Sequence, residues 1–169
     1  MVLKMKEKVI GLVSGGIDSP VANLIISEKF EVIPLHFVLY PMTKLENAKK
    51  SMEVLKEIKD ITDFEKAIIY PWAGILQEIK NKVSPEYSCL MCRKLMLLTA
   101  SKFCEIEGAS GIVTGESVGQ KASQTLDNIS AISAKGLPVL RPLIGMNKSE
   151  IISRSKNLAY GTQITRAVA

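Results

Sequence analysis

The stretch LVSGGIDSPVA, residues 12–22, decides how this chain folds. It follows a short continuous apolar run, Lys8–Val13 (KVIGLV), which reads as a buried strand. It leads into Pro20–Lys29, which reads as a helix with Ser19 as N-cap and Pro20 at the first helical position. An ordinary strand-to-helix connection needs one glycine at most. Here Gly15 and Gly16 stand between the hydroxyls of Ser14 and Ser19, with Asp18 beside them. Small residues let the backbone turn tightly and bring its N–H groups close to a ligand. A helix N-terminus adds free N–H groups and a dipole that favour negative charge. The stretch therefore reads as a cradle for an anion, phosphate above all.

Working outward, short β-branched runs alternate with helical stretches. Glu31–Val38 reads as a second strand, weakened by Pro34. Thr43–Lys59 is helical, with Leu45, Ala48, Met52, Leu55 and Ile58 at helical spacing. Lys66–Tyr70 is a third strand, Ala73–Lys82 a helix, and Pro85–Glu107 a long helix entered through Ser84. Gly111–Thr114 is a fourth strand, Val139–Leu140 the core of a fifth, and Asn147–Lys156 a closing helix. This alternation predicts a three-layer α/β/α fold with a mostly parallel five-stranded sheet. Such sheets bind ligands beyond the carboxyl ends of their strands, where the strand order reverses. Ser14–Ser19, His36 with Phe37, and Thr114 with Gly115 all fall at such ends.

The totals agree with one globular domain. The 169 residues are 47% hydrophobic and 23% charged, and no apolar run reaches the length of a membrane span. Lys6, Glu7 and Lys8 abut the first apolar stretch, and no small-x-small cleavage pattern follows. That argues against a signal peptide and for a cytoplasmic protein with no membrane association. A net charge of +5 favours an anionic partner, nucleotide or nucleic acid. Three cysteines are too few and too unevenly placed for a disulfide scaffold.

The common phosphate loops are absent: no lysine follows the glycines, and there is no G-x-G-x-x-G. Instead S-G-G-x-D-S before an apolar helix resembles the PP-loop of the ATP pyrophosphatases, of adenine nucleotide alpha-hydrolase-like fold. That resemblance implies attack on the α-phosphate of ATP with loss of pyrophosphate, and Asp18 placing Mg²⁺ against the phosphates. Three further stretches narrow it: YSCLMCRKLML (87–97), TGESVGQKASQTLDNI (114–129) and LRPLIGMNKSEII (140–152). They are similar to the catalytic domain of the tRNA 4-thiouridine synthetase, or thiamine-biosynthesis tRNA sulfurtransferase, family.

The family resemblance implies adenylation of a tRNA uridine followed by sulfur transfer from a donor. It implies ATP contacts at Leu12, Val13, Ser14, Gly15, Gly16 and Ser19. His36 and Phe37 would meet the adenosine end, Arg93 the phosphates, and Gly115 and Gln124 the site from the loop after the fourth strand. Lys148 matches a lysine used for activity. Asn147 and Glu150 also form a capping pair, which puts Lys148 at a helix N-terminus where a cation is mildly unfavourable unless an anion arrives. A solvated surface lysine, and a merely satisfied polar residue at His36, are the plain alternatives. The family's N-terminal RNA-binding THUMP region and C-terminal rhodanese region have no counterpart in this reading of residues 1–169 as a single domain. tRNA docking would then come from a partner, from a homodimer surface, or not at all.

Cys89 and Cys92 form C-x-x-C in the early turns of the long helix, where the helix N-terminus, Arg93 and Lys94 would lower a thiol pKa. The pair reads as a persulfide relay, as ligands of an iron–sulfur cluster, or as half of a zinc site. On a continuous helix Cys104 lies roughly 18 Å along the axis from Cys92 and about 120° around it. It cannot share a metal with that residue and reads as a buried apolar side chain. Gly115-Glu116-Ser117-Val118-Gly119 matches the G-x-S-x-G of serine hydrolases. The only histidine, His36, lies upstream of Ser117, so no triad forms in that order. Two alternatives keep the cradle: adenylation of a small molecule, and a non-catalytic adenine-nucleotide sensor.

Overall fold

A computed structural model describes residues 6–62, 64–117 and 136–160. Five parallel strands form one sheet in the order β3-β2-β1-β4-β5. They are β1 (Lys8–Leu12), β2 (Glu31–Val38), β3 (Ile68–Pro71), β4 (Ile112–Val113) and β5 (Val139–Leu140). The helices are α1 (Asp18–Ser27), α2 (Leu45–Thr62), α3 (Ala73–Lys82), α4 (Pro85–Glu107) and α5 (Lys148–Ser155), followed by a π-helical turn, Lys156–Tyr160.

Successive residues of a strand face opposite sides of the sheet, and the core divides accordingly. Val9, Val32 and Val113 join Val21, Val54 and Ile151 from α1, α2 and α5 on one face. Ile10, Ile33, Leu35 and Ile112 join Trp72, Leu97 and Ala100 on the other, beneath α3 and α4. Helices thus cover both faces, as strands without polar alternation require.

Pro34 sits inside β2, opposite Gly11 of β1. Backbone groups along a parallel strand point to alternate neighbours. The Val13 N–H donates to the Leu35 carbonyl, so the missing N–H of Pro34 faces the β3 side. Pairing with β3 begins only at Leu35 opposite Ile68, and no ladder bond is lost.

Two local expectations are corrected. Helix α1 starts at Asp18, two residues early, and its N-cap is Ile17, with no side-chain cap. Ser19 is not the cap because its hydroxyl is engaged elsewhere, as described below. On α2 the buried residues are Ser51, Val54, Leu55 and Ile58, while Leu45 is exposed. The buried stripe is therefore rotated from the expected one and carries a serine at its upper end. The remaining strand and helix bounds agree within a few residues, and α4 ends where expected, on Gly108 in the left-handed conformation (φ 65°).

Candidate active site

From β1 the chain moves through β2 to β3 on one side of the sheet, then returns to β4 and β5 on the other. The reversal lies between β1 and β4, and a cleft of about 660 Å³ opens there. Its walls come from five segments: the loop after β1, the end of β2, the middle of α4 at Arg93–Leu97, the loop after β4, and the Asn47–Ser51 flank of α2. Leu12, Val13, Ser14, Gly15, Gly16, Asp18, Ser19, His36, Phe37, Arg93 and Gly115 all line it. Gln124 lies outside the described residues.

The glycine loop is closed by its two serines. The Ser19 hydroxyl accepts from the Ser14 N–H at 2.8 Å and lies 3.0 Å from the Ser14 hydroxyl. This leaves the first turn of α1 without a side-chain cap. Positive φ is found at Gly108 and Gly136 rather than at Gly15 or Gly16, so the loop glycines serve space rather than a left-handed turn. A Cβ on Gly15 would sit 3.1 Å from the Ser51 Oγ. Gly115 is tighter: a Cβ there would lie 2.6 Å from the Ser19 backbone nitrogen. The loop after β4 therefore seats directly on the start of α1. Below it, the Asn23 amide of α1 donates to the Leu12 and Ser19 carbonyls, at 3.0 and 2.7 Å. It fastens the end of β1 to the first turn of the helix.

Lys148 donates to Asp18 Oδ1 at 2.6 Å. The capping box forms as expected: Asn147 Oδ1 accepts from the Glu150 N–H at 3.0 Å, and the Asn147 N–H donates to Glu150 Oε2 at 2.6 Å. The cation at this helix N-terminus is thus offset by a carboxylate from across the fold. Asn147→Ala should lower stability by about 1 kcal/mol and loosen the Lys148–Asp18 pair, while Asn147→Asp restores the cap. Denaturant midpoints of the two variants check this.

Arg93 of α4 pairs with Glu116, which also accepts from Arg141 Nε at 2.7 Å and from the Thr114 hydroxyl at 3.2 Å. All three charged side chains are largely buried, and the carboxylate between two guanidinium groups fixes Arg93 at the cleft wall. His36 is 7% exposed, and its Nδ1 lies 2.9 Å from the Val13 carbonyl. That oxygen can only accept, so Nδ1 carries the proton and Nε2 is the bare acceptor. Burial lowers the His36 pKa, against the opposing effect of the Val13 bond, so the ring is neutral at neutral pH.

The C-x-x-C pair stands apart from the cleft wall. Cys89 is exposed and Cys92 is half-buried, with its sulfur 3.3 Å from the Trp72 indole nitrogen. Burial pushes the Cys92 thiol up, only partly offset by the indole bond, and nearby Cys89 raises it further. This corrects the expected lowering: Cys92 lies beyond the first turn of α4, packed against Trp72. Among the described residues no group of three or more His, Cys, Asp or Glu side chains could hold a metal ion. The pair alone does not complete a zinc or iron–sulfur site. Cys104 is buried, and its thiol lies 3.5 Å from the Gly111 carbonyl. Ser117 is also buried, at 1% exposure, which leaves no exposed elbow nucleophile.

Sequence reasoning missed Glu116, Arg141, Lys50 and Ser51 as parts of this region. Glu116 and Arg141 stand inside stretches already singled out, but their pairing is visible only in space. Ser51 carried a signal: a serine one turn before Val54 and Leu55 on the buried side of α2.

A five-stranded parallel sheet with a serine–glycine loop at its switch point defines an α/β domain of the PP-loop kind. The chain belongs to the family described as thiamine biosynthesis protein (ThiI), matched over residues 4–167. It is 39% identical over 155 residues to a probable tRNA sulfurtransferase of Thermococcus kodakarensis, covering 89% of this chain and 40% of that protein. It is 40% identical over 149 residues to one of Bacillus licheniformis, covering 87% of this chain and 37% of the relative. The chain thus spans about two fifths of the length of these relatives. Its structure is similar to a crystal structure of a 4-thiouridine synthetase–RNA complex with bound ATP. There the TM-score is 0.85 and the identity 32%, over 95% of this chain and 42% of the other. It shares its fold, at TM-score 0.66 and 17% identity over 94% of this chain and 59% of the other, with a U34-tRNA thiolase from Methanococcus maripaludis solved with its [4Fe-4S] cluster.

Proposed function

We propose that this chain is the ATP-using domain of a tRNA sulfurtransferase acting in the cytoplasm. A uridine carbonyl oxygen attacks the α-phosphorus of ATP, and the bond to pyrophosphate breaks. A sulfide-level sulfur nucleophile then adds at the same carbon, and AMP leaves with the original oxygen. The observation that carries this reading is the serine-closed glycine loop facing the cleft, in a chain similar to an ATP-bound 4-thiouridine synthetase.

The residues divide the work. Backbone N–H groups of the loop and the uncapped first turn of α1 receive the phosphates. Arg93, held by Glu116, faces them from α4. Phe37 supplies an apolar edge and His36 Nε2 an acceptor toward the adenosine end. Asp18 is a hard oxygen donor suited to Mg²⁺, with the triphosphate furnishing further oxygens. The metal, when bound, would neutralise charge on the departing pyrophosphate. Lys148 sits on the same carboxylate and is poised to move onto phosphate oxygens. Cys92 packs against Trp72 outside the cleft lining, so sulfur carried on the C-x-x-C pair would have to reach the site from beyond the cleft wall.

Pyrophosphate release from Mg·ATP, measured with and without unmodified tRNA, tests the proposal. Release that rises with tRNA, with thionucleoside appearing when sulfide is added, is the expected result. Release indifferent to tRNA would favour a small-molecule acceptor. Nucleotide binding with no release would favour a sensor.

A further inference from the structure

Two cations at this site already carry counter-ions. Arg93 is paired with Glu116, and Lys148 with Asp18. The glycine loop itself lacks the lysine that usually accompanies such loops. A triphosphate brings several negative charges into this cleft, yet each of these cations carries its own counter-ion.

Among the described residues one further cation lines the cleft: Lys50, on the flank of α2. It is half-buried, and among the described residues it has no hydrogen-bond or ion-pair partner. Its position is set by close packing. A Cβ on Gly15 would lie 3.1 Å from the Ser51 Oγ and 4.0 Å from Lys50 Cγ, so α2 meets the loop at the Lys50–Ser51 step. Ser51 is buried, and its hydroxyl donates back within α2 to the Asn47 carbonyl at 3.0 Å, so it packs on the loop by contact alone. The Lys50 stem therefore packs beside the glycine, and the residue is part of the cleft lining.

We propose that Lys50 is a further phosphate-binding lysine of this site, supplied from α2 rather than from the loop, and that it contacts the β- and γ-phosphates of ATP. An ammonium is a compact point charge on a flexible stem and serves phosphate well without bidentate geometry. The assignment rests on the ATP reading above and adds to it a residue outside the loop and an order of preference among nucleotides.

The test is binding of Mg·ATP and of AMP to the full chain, by titration calorimetry, for the parent, Lys50→Gln and Lys50→Arg. The expected result is ATP affinity about tenfold or more weaker in Lys50→Gln, one charge-assisted contact's worth. AMP affinity should stay within about twofold, and Lys50→Arg should recover most of the ATP affinity. A thermal midpoint of Lys50→Gln equal to the parent's assigns the loss to the contact. Unchanged ATP affinity in Lys50→Gln would overturn the assignment. So would equal losses for ATP and AMP, because AMP lacks the phosphates Lys50 is said to hold. A parent chain that binds neither nucleotide would overturn the ATP reading itself, and the Lys50 assignment with it.

Discussion

Asp18→Asn is expected to cut pyrophosphate release by about 100-fold or more while leaving ATP binding largely intact. The carboxylate sits in the first turn of α1 beside the serine-closed loop and accepts from Lys148 at 2.6 Å. Asparagine keeps the shape and one acceptor oxygen but removes the charge that would draw Mg²⁺. It also frees Lys148 from its counter-ion, and a freed cation strengthens ground-state attraction to phosphate. Turnover should therefore fall without a matching loss of affinity. Lys148→Met should lose turnover as well. The double variant should lose little beyond the worse single one, because the two groups act as a pair. Steady-state pyrophosphate release and ATP titration on the three variants separate these outcomes.

Gly115→Ala is expected to damage both fold and site. The added Cβ would lie 2.6 Å from the Ser19 nitrogen, 2.7 Å from its Cα and 2.8 Å from the Asp18 carbonyl carbon. These are backbone atoms, so no flexible side chain can yield, and the start of α1 must move. Overpacking of this kind costs about 1–3 kcal/mol. The same shift pulls the Ser19 hydroxyl away from the Ser14 N–H and opens the cradle, so ATP binding should fall below detection. Gly16→Ala is the control: its Cβ would meet nothing nearer than the Ser14 hydroxyl, at 3.7 Å. That variant should keep its denaturant midpoint and lose affinity only through crowding of the ligand.

The sheet was legible because its strands are short, doubly buried apolar runs separated by helical spacing. The loop was legible because few other roles need two glycines between two serines at a strand–helix junction. Ser19 was misread because a serine before Pro20 satisfies the usual cap pattern, whereas its hydroxyl is drawn five residues back to Ser14. The Cys92 thiol was misread because its neighbours in sequence are cationic, while its neighbours in space are apolar and include Trp72. Glu116 with Arg93 and Arg141 was invisible for a simpler reason. The partners of the carboxylate lie 23 residues before it and 25 after it, and nothing local marks them. The cleft-facing role of Lys50 depends on how α2 rotates about its axis, which periodicity left offset.

The proposed chemistry depends on which phosphorus of ATP is attacked. Incubation of the chain with unmodified tRNA, sulfide and Mg·ATP labelled separately at the α- and γ-phosphates decides it. Equal yields of AMP and pyrophosphate are predicted. Release of ADP and inorganic phosphate, or no cleavage of ATP at all, would contradict it.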